Sequence, residues 1–467
     1  MAETFRIVSP VDGSVYAERP LSGPAEAIAA VEKAARAWES WRRTPLEERI
    51  RILDAAVERF TSRRSEIGTE LTWQMGRPVT HAVREVGGFE ERARTMLQLA
   101  PRALADIDPG EKPGFRRFIR REPVGVVLTI APWNYPYLTA VNSIWPALAA
   151  GNTVILKPAR QTALSGERIA QALAEAGLPE GVFQCVHMSH EAAAAAMRHE
   201  AVRLICFTGS VEGGRAVQRI VGDSRGFPAI NLELGGKDPA YVRADADIAQ
   251  AAAGIADGAF YNAGQSCCAI ERAYVHRAIY DDFVDALVAH VRALRLGNPL
   301  ERETTLGPMV DSASADKVRS QVEEALRAGA RALIDARSFA ADTGKGPYLA
   351  PQVLVEVDHR LRVMTEESFG PVLGLMKVQD DEEAIRLMND SEYGLSASIW
   401  TRDVEAAERI GSRLETGTVF ANLSDYLDPA LAWTGVRHSG RGCTLSVVGY
   451  EYVTRPKSFN LKLAPVA

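Results

Sequence analysis

Cys267, in the run Gly264-Gln265-Ser266-Cys267-Cys268, and Glu233, in Glu233-Leu234-Gly235-Gly236-Lys237, are the two residue types that covalent oxidation at a carbonyl carbon requires. A thiolate attacks the carbon, and a carboxylate activates the water that releases the acyl product. Each has a plainer reading. Most cysteines are small buried hydrophobes, and a glutamate at a strand end caps a helix or pairs with a cation. Cys185, Cys206 and Cys443 keep the plainer reading. Cys268 adjoins Cys267, and its side chain is expected to point elsewhere.

Three other segments carry donors or phosphate-binding geometry. Asn134, in Pro132-Trp133-Asn134-Tyr135-Pro136, follows a predicted strand. Its amide can donate to a developing oxyanion, or it is a turn residue beside proline. Lys157-Pro158 ends the next strand, where a lysine reaches ribose hydroxyls or a phosphate, or is simply solvated. Gly209 and Ser210, in Phe207-Thr208-Gly209-Ser210-Val211, form a turn into a helix whose N-terminus can receive a pyrophosphate. The glycine spacing there is not GxGxxG, so the turn alone is a weak dinucleotide signal.

The elements that must position these residues read as α/β. Residues 124–132, 152–158, 182–187 and 203–209 are short apolar runs read as strands, with helices over 164–176 and 211–221. That alternation predicts a doubly wound parallel sheet binding ligands beyond the carboxyl ends of its strands. A second block has strands at 238–242 and 272–276 and helices over 245–261 and 279–295. The first 100 residues read as mainly helical. One helix turns Ile28, Val31, Ala35 and Trp38 to the core, and a second, with Pro45 in its first turn, turns Ile50, Leu53, Val57 and Phe60 inward. Residues 342–351 look like a linker.

Composition excludes several classes. The chain has 467 residues, 46% hydrophobic and 24% charged, with net charge -6, so no electrostatic footprint for nucleic acid exists. The one basic cluster, Arg116, Arg117, Arg120 and Arg121, reads as a solvated ribbon. No apolar run is long enough to span a membrane, and MAETFRIVSP shows neither a signal core nor a basic leader. Five cysteines do not make a disulfide framework and suit a reducing cytoplasm. His187, His190 and His199 lack ligand spacing and are expected at the surface, so no metal site is predicted.

In this order and spacing the motifs PWNYP, KPARQT, FTGSVEGG, ELGGKDP, GQSCCAIER, EESFGPV and SGRG resemble the NAD(P)-dependent aldehyde dehydrogenase superfamily, from VSPVDGSVYAE to VTRPKSF. The resemblance implies Cys267 as nucleophile, Glu233 as general base, and the Asn134 amide with the Cys267 backbone N–H as oxyanion hole. It implies cofactor contacts from Lys157, Gly209 and Ser210, a nicotinamide-ribose ligand in Glu367, and cofactor-lining rings in Phe369 and Trp133. Tyr135, Thr139, Asn142, Tyr261 and the 422–433 loop would line the substrate pocket, suiting a medium-sized, partly polar or aromatic aldehyde. No paired arginines announce a dicarboxylic semialdehyde.

The implied architecture is a Rossmann-like cofactor domain (1–104 and 124–235), an α/β catalytic domain (236–436), and a small β oligomerisation arm with the C-terminal tail (105–123 and 437–467). The arm, with a last strand near 451–465, implies a homodimer or homotetramer. Two departures from the family pattern stand out. Where NAD-preferring members often have a glutamate, this chain has Arg160, which leans the cofactor toward NADP. The segment Ala432 to Gly440 differs from the usual PFGGxKxSG, so the pocket rim differs. Two rival readings are a CoA-acylating aldehyde dehydrogenase, against which the intact ELGG argues, and a non-catalytic protein keeping the fold.

Overall fold

Pro136–Ala150 is apolar on every side, and a helix of that kind must lie inside the molecule. Nearly all of it is buried, starting with Pro136 in its first turn and ending at Gly151, whose φ of 94° supplies the left-handed cap. Phe89 meets Trp145 edge to face at 4.8 Å, and Phe60 meets Tyr137 at 5.1 Å. The computed structural model describes residues 3–463. Residues 1–2 and 464–467, included in the segments 1–104 and 437–467, lie outside the described residues, as does the end of the strand expected near 451–465.

Two sheets flank this centre. The first has six strands in the order Gly440–Arg441, Ala229–Glu233, Val202–Thr208, Val126–Ile130, Thr153–Lys157 and Phe183–Cys185. All pairings are parallel except the first, where Gly440 stands opposite Glu233. Ala163–Glu175 and Val211–Gly222 are its crossover helices, close to the predicted bounds. Gly440–Arg441, counted with the tail in the sequence reading, is thus an edge strand of this sheet.

The second sheet has seven strands, in the order Arg331–Ala332, Gln352–Val355, Val372–Val378, Ile270–His276, Asp238–Val242, Ser396–Trp400 and Thr418–Ala421. Only the first pairing is antiparallel. Helices Ile248–Phe260 and Tyr280–Arg292 follow its Asp238–Val242 and Ile270–His276 strands. Phe115–Pro123 pairs antiparallel with Thr454–Lys462 as a separate ribbon. There Phe118 stacks on Phe459 at 4.4 Å, and Arg120 lies over both rings while pairing with Asp106. Arg120 of the basic cluster is thus spent on the ribbon's own packing, and Arg121 on the Ala103 carbonyl and Glu451.

Several expectations need correction. The first helix, Pro24–Trp41, buries Ala27, Ala30, Val31, Ala34 and Trp41, while Ile28, Ala35 and Trp38 are only half-buried. Its alanines let the backbone press against helix His190–Arg198, and that close approach outweighs the larger side chains in setting the inward face. In Leu46–Thr61 the buried stripe keeps Leu53, Val57 and Phe60, but Ile52 replaces Ile50, and Pro45 is the N-cap, one place before the first turn. The hairpin Thr4–Val8 with Val15–Pro20 precedes the helices. Residues 342–351 are no linker: Asp342 accepts from Arg319, Gly344 N and Ala350 N, which pins the loop. His187 is not a free surface residue, since its Nε2 meets Glu167 Oε1 at 2.8 Å.

Candidate active site

The loop carrying Cys267 is built from left-handed backbone. Asn262, Ala263 and Gly264 have φ of 54°, 56° and 69°, values that cost a non-glycine residue energy unless neighbours fix them. The neighbours do. Asn262 Nδ2 donates to the Gln265 carbonyl (3.1 Å), Gln265 Nε2 returns a bond to the Asn262 carbonyl (3.0 Å), and Val310 N donates to Gln265 Oε1 (2.8 Å). Gln265 is buried, so the first residues of the motif serve to hold Cys267 in place.

Asn134 lies against this loop, its Nδ2 donating to the Gln265 carbonyl at 3.2 Å. The Asn134 carbonyl accepts from Arg77, whose Nε also donates to Asn262 Oδ1 at 3.0 Å. Arg77 is buried and pairs with buried Glu85. Glu85 in turn accepts from Tyr137 N (2.9 Å) and Leu138 N (3.2 Å), a carboxylate on the positive end of helix Pro136–Ala150. One ion pair thus ties helix Val79–Ala103 to Asn134 and to the cysteine loop.

Glu233 ends its strand facing Cys267 across a shared cavity. Its Oε1 accepts from Thr444 Oγ1 at 2.6 Å and its Oε2 from Thr208 Oγ1 at 3.1 Å. Burial pushes its pKa above the ordinary carboxylate value, against the two hydroxyls and the Arg92 charge. Burial likewise raises the thiols of Cys185 and Cys206, and takes Cys443 to about 11. Cys268 is raised by its hydrogen bond to Cys267, by burial and by Asp425.

Two cavities meet at Cys267. The first, of about 250 Å³, is lined by Trp133, Asn134, Gly209, Ser210, Glu233, Cys267, Glu367 and Phe369. Trp133 and Phe369 stand edge to face at 5.6 Å. Glu367 accepts from Gly236 N at 3.1 Å, and burial followed by the nearby Glu271 charge raises its pKa to about 7. Ser210 caps Val211–Gly222 through Gly213 N at 3.1 Å. Gly209 lies in the bend after its strand, and space favours it there, since a Cβ would sit 2.7 Å from the Phe207 ring; its φ is not left-handed.

The second cavity, of about 230 Å³, is lined by Tyr135, Thr139, Asn142, Tyr261, Glu233, Cys267 and, from the 422–433 loop, Asp425, Leu427 and Trp433. Tyr261 stacks on His81 at 4.5 Å, and Arg77 lies over the Tyr135 ring at 4.2 Å. A wider groove of about 800 Å³ at the edge of the seven-stranded sheet, near Tyr280 and Lys377, holds no nucleophile and none of the motif segments.

Lys157 and Arg160 line neither cavity. Lys157 ends its strand at the carboxyl edge, half-buried, and has no hydrogen-bond or ion-pair partner among the described residues. Burial and then Arg160 lower its pKa. Arg160 is exposed and opens the turn that follows.

Sequence reasoning missed several residues of the site. Cys268 does not point away. It lines the second cavity beside Cys267 and donates to Asp425 Oδ1 at 2.8 Å, because both cysteines lie in a turn where strand-like alternation does not apply. Arginines do approach the pocket: Arg77, Arg84 and Arg92 all line it. Lys237, buried, pairs with Glu271 at 2.6 Å, and Glu271 also accepts from Ser368 N and Phe369 N at 2.8 Å each. Among the described residues no cluster of His, Cys, Asp or Glu could hold a metal ion, and no helix is long and apolar enough to cross a membrane.

The sequence is similar to known proteins over nearly its whole length. The model of the family described as "Aldehyde dehydrogenase family" matches residues 1–459. A phenylacetaldehyde dehydrogenase of Pseudomonas fluorescens is 36% identical over 466 residues, 98% of this chain and 92% of that protein. The NADP/NAD-dependent aldehyde dehydrogenase PuuC of Escherichia coli K12 is 34% identical, covering 99% and 93%. The crystal structure of an NADP-dependent glyceraldehyde-3-phosphate dehydrogenase from Bacillus halodurans, complexed with NADP, superposes with a TM-score of 0.92 at 35% identity, covering 99% and 96%. With that match in sequence and in fold, the chain belongs to the aldehyde dehydrogenase family and is an α/β enzyme that oxidises aldehydes with a nicotinamide cofactor.

Proposed function

We propose that the enzyme converts its aldehyde to the free carboxylic acid through a covalent adduct on Cys267, with water as the final acyl acceptor. The observation that carries this reading is the position of Cys267 and Glu233, each on both cavities at the seam between them. Cys267 adds to the carbonyl carbon, and the oxyanion so formed takes hydrogen bonds from Asn134 Nδ2 and the Cys267 backbone N–H. When bound, NAD(P)+ supplies the hydride acceptor that leaves the adduct as a thioester. Glu233 then takes a proton from water as the oxygen attacks the thioester carbon, the acid departs and the thiol re-forms. The raised Glu233 pKa suits a base working near neutral pH.

The first cavity suits such a cofactor. Ser210 and the helix N-terminus behind it offer phosphate donors, and Glu367 offers an acceptor for ribose hydroxyls. Lys157 is a half-buried ammonium still without an acceptor in the protein. Trp133 and Phe369 form an aromatic wall. NADP is the preferred form in this reading, with NAD also used, because Arg160 offers a charge-assisted bond to a 2′-phosphate. A relative whose name carries both cofactors is compatible with dual use. The names of the relatives span an uncharged aromatic aldehyde and a phosphorylated one, so they select no substrate.

The six-stranded sheet would be the cofactor domain (1–104 and 124–235) and the seven-stranded sheet the catalytic domain (236–436). The Phe115–Pro123 and Thr454–Lys462 ribbon would join subunits into a homodimer or homotetramer, since a two-stranded ribbon is marginal alone. Five free thiols suit a cytoplasmic location.

The test is an aldehyde panel run separately with NAD and NADP, followed by rapid mixing of Glu233→Gln. A retained burst of reduced cofactor with slow turnover is expected, along with higher kcat/KM for NADP. Unchanged steady-state turnover in Glu233→Gln would sink the base assignment, and a thioester product formed only with added CoA would replace water as the acceptor.

A further inference from the structure

Arg92 is an uncommitted cation in the wall of the aldehyde cavity. It lies on helix Val79–Ala103 and is 8% exposed. Its Nη1 donates to two neutral acceptors, the Leu138 carbonyl at 2.9 Å and Asn142 Oδ1 at 3.2 Å. Among the described residues its Nε and Nη2 have no acceptor and it forms no ion pair, whereas Arg77 on the same wall is neutralised by Glu85. A guanidinium stays charged at any working pH, and holding one out of water without a counter-charge is costly. Burial accordingly pulls its pKa down.

The carboxylates nearby do not fill that demand. Glu233 is served by Thr444 and Thr208. Asp425 takes bonds from Cys268 Sγ at 2.8 Å and Ser266 Oγ at 3.2 Å, both on Oδ1, and forms no hydrogen bond or ion pair with Arg92. Arg84 and Asp257 of the same lining are both exposed, and the Arg84 charge opposes the burial that raises the Asp257 pKa. The open donors of Arg92 therefore face the space a substrate must occupy, and the guanidinium fork matches a carboxylate.

We propose that Arg92, steadied by Asn142, is a specificity residue that anchors a carboxylate at the far end of the substrate, so that short ω-carboxylated aldehydes are preferred over neutral ones of equal length. This rests on Cys267 being the nucleophile of the proposed oxidation. With the carbonyl at Cys267 and the carboxylate at Arg92, a cavity of about 230 Å³ holds a short chain. The same charge has a rival use, since it also favours the ionised form of Glu233. That use would help every aldehyde equally, and the two roles separate in an experiment.

The intact enzyme is assayed with 4-oxobutanoate and 5-oxopentanoate against pentanal and hexanal. The acids are expected to have higher kcat/KM, and in Arg92→Met the acid-to-neutral ratio falls about 30-fold, the loss of one charge-assisted pair. Arg92→Lys restores part of the ratio, because a point charge lacks the fork. A wild-type preference for the neutral series overturns the proposal, as does an equal loss in both series. A second arm needs no variant and no turnover. Succinate, and not butanamide, should slow alkylation of Cys267 by iodoacetamide in the wild-type enzyme; equal or absent protection overturns the anchor. If succinate protects but no aldehyde is oxidised, the proposed function fails while the anion site stands.

Discussion

Thr444 is the sharpest handle on Glu233, the proposed base. Its Oγ1 lies 2.6 Å from Glu233 Oε1, while Thr208 holds the other oxygen at 3.1 Å. Both hydroxyls donate, and so favour the ionised carboxylate against the burial that raises its pKa. Thr444→Val keeps the shape and removes the shorter bond. A hydrogen bond to a charged group contributes about 1.5–3 kcal/mol, and 1.36 kcal/mol is about one pKa unit, so the Glu233 pKa should rise by about 1–2 units. The base works deprotonated, hence the acid limb of acyl-enzyme hydrolysis should move to higher pH by that amount. On the acid side the rate should fall about tenfold per unit, while the alkaline plateau is kept. The assay is the rate of acyl-enzyme hydrolysis across about pH 5–9 in wild type, Thr444→Val and Thr444→Ser, the last of which keeps the hydroxyl. An unmoved acid limb with a uniform loss at every pH would refute the reasoning, because it would make Thr444 a packing residue only.

Three further outcomes follow from the same geometry. Asn134→Ala should lower kcat by about 10²–10³ with little change in KM, measured by steady-state kinetics, because one oxyanion donor is lost. Glu271→Gln leaves buried Lys237 without its counter-charge and should destabilise the fold by about 3–5 kcal/mol; an unchanged midpoint of chemical denaturation would count against it. Glu367, with its pKa raised to about 7 mainly by burial, is protonated below that value and ionised above it. Oxidised cofactor should therefore bind more tightly as pH rises through about 7, and fluorescence titration of Glu367→Gln should lose that dependence.

What was legible in the sequence was the chemistry that sits in contiguous runs. PWNYP, FTGS, ELGG and GQSC each carry a polar or reactive group beside a turn; singly they were weak, and their order along the chain nominated Cys267, Glu233 and Asn134 through the family resemblance. The alternation of strand and helix marked the middle of the first sheet and two strands of the second for a similar reason, because the period of burial is written into each segment. Residues that act from a distance were not legible. Arg92 sits on a helix whose other inward residues include Phe89, Ala93 and Met96, an ordinary core stripe, and nothing in the sequence tells a buried arginine from a solvated one. Thr208 and Thr444 are common residues that acquire meaning only by meeting Glu233. The first helix misled for a different reason: large apolar residues marked a face, but small ones allowed the closer approach.

The glycines of ELGG answer to close packing. Neither Gly235 nor Gly236 has a left-handed φ, so backbone freedom does not explain them. A Cβ on Gly236 would overlap the Cys267 carbonyl oxygen, and one on Gly235 would overlap the Glu367 carboxylate. The cysteine loop and the EESFGP segment thus both close onto the chain just after Glu233. Gly264, with φ 69°, lets the same loop pass the Gly370 carbonyl, which a side chain there would strike. Three segments far apart in sequence meet within a space that only glycines leave open. The proposed nucleophile, base and ribose ligand are therefore placed by one packing node. A methyl group at Gly236 should displace Cys267 from Glu233 even though it adds no charge and removes no hydrogen-bonding group.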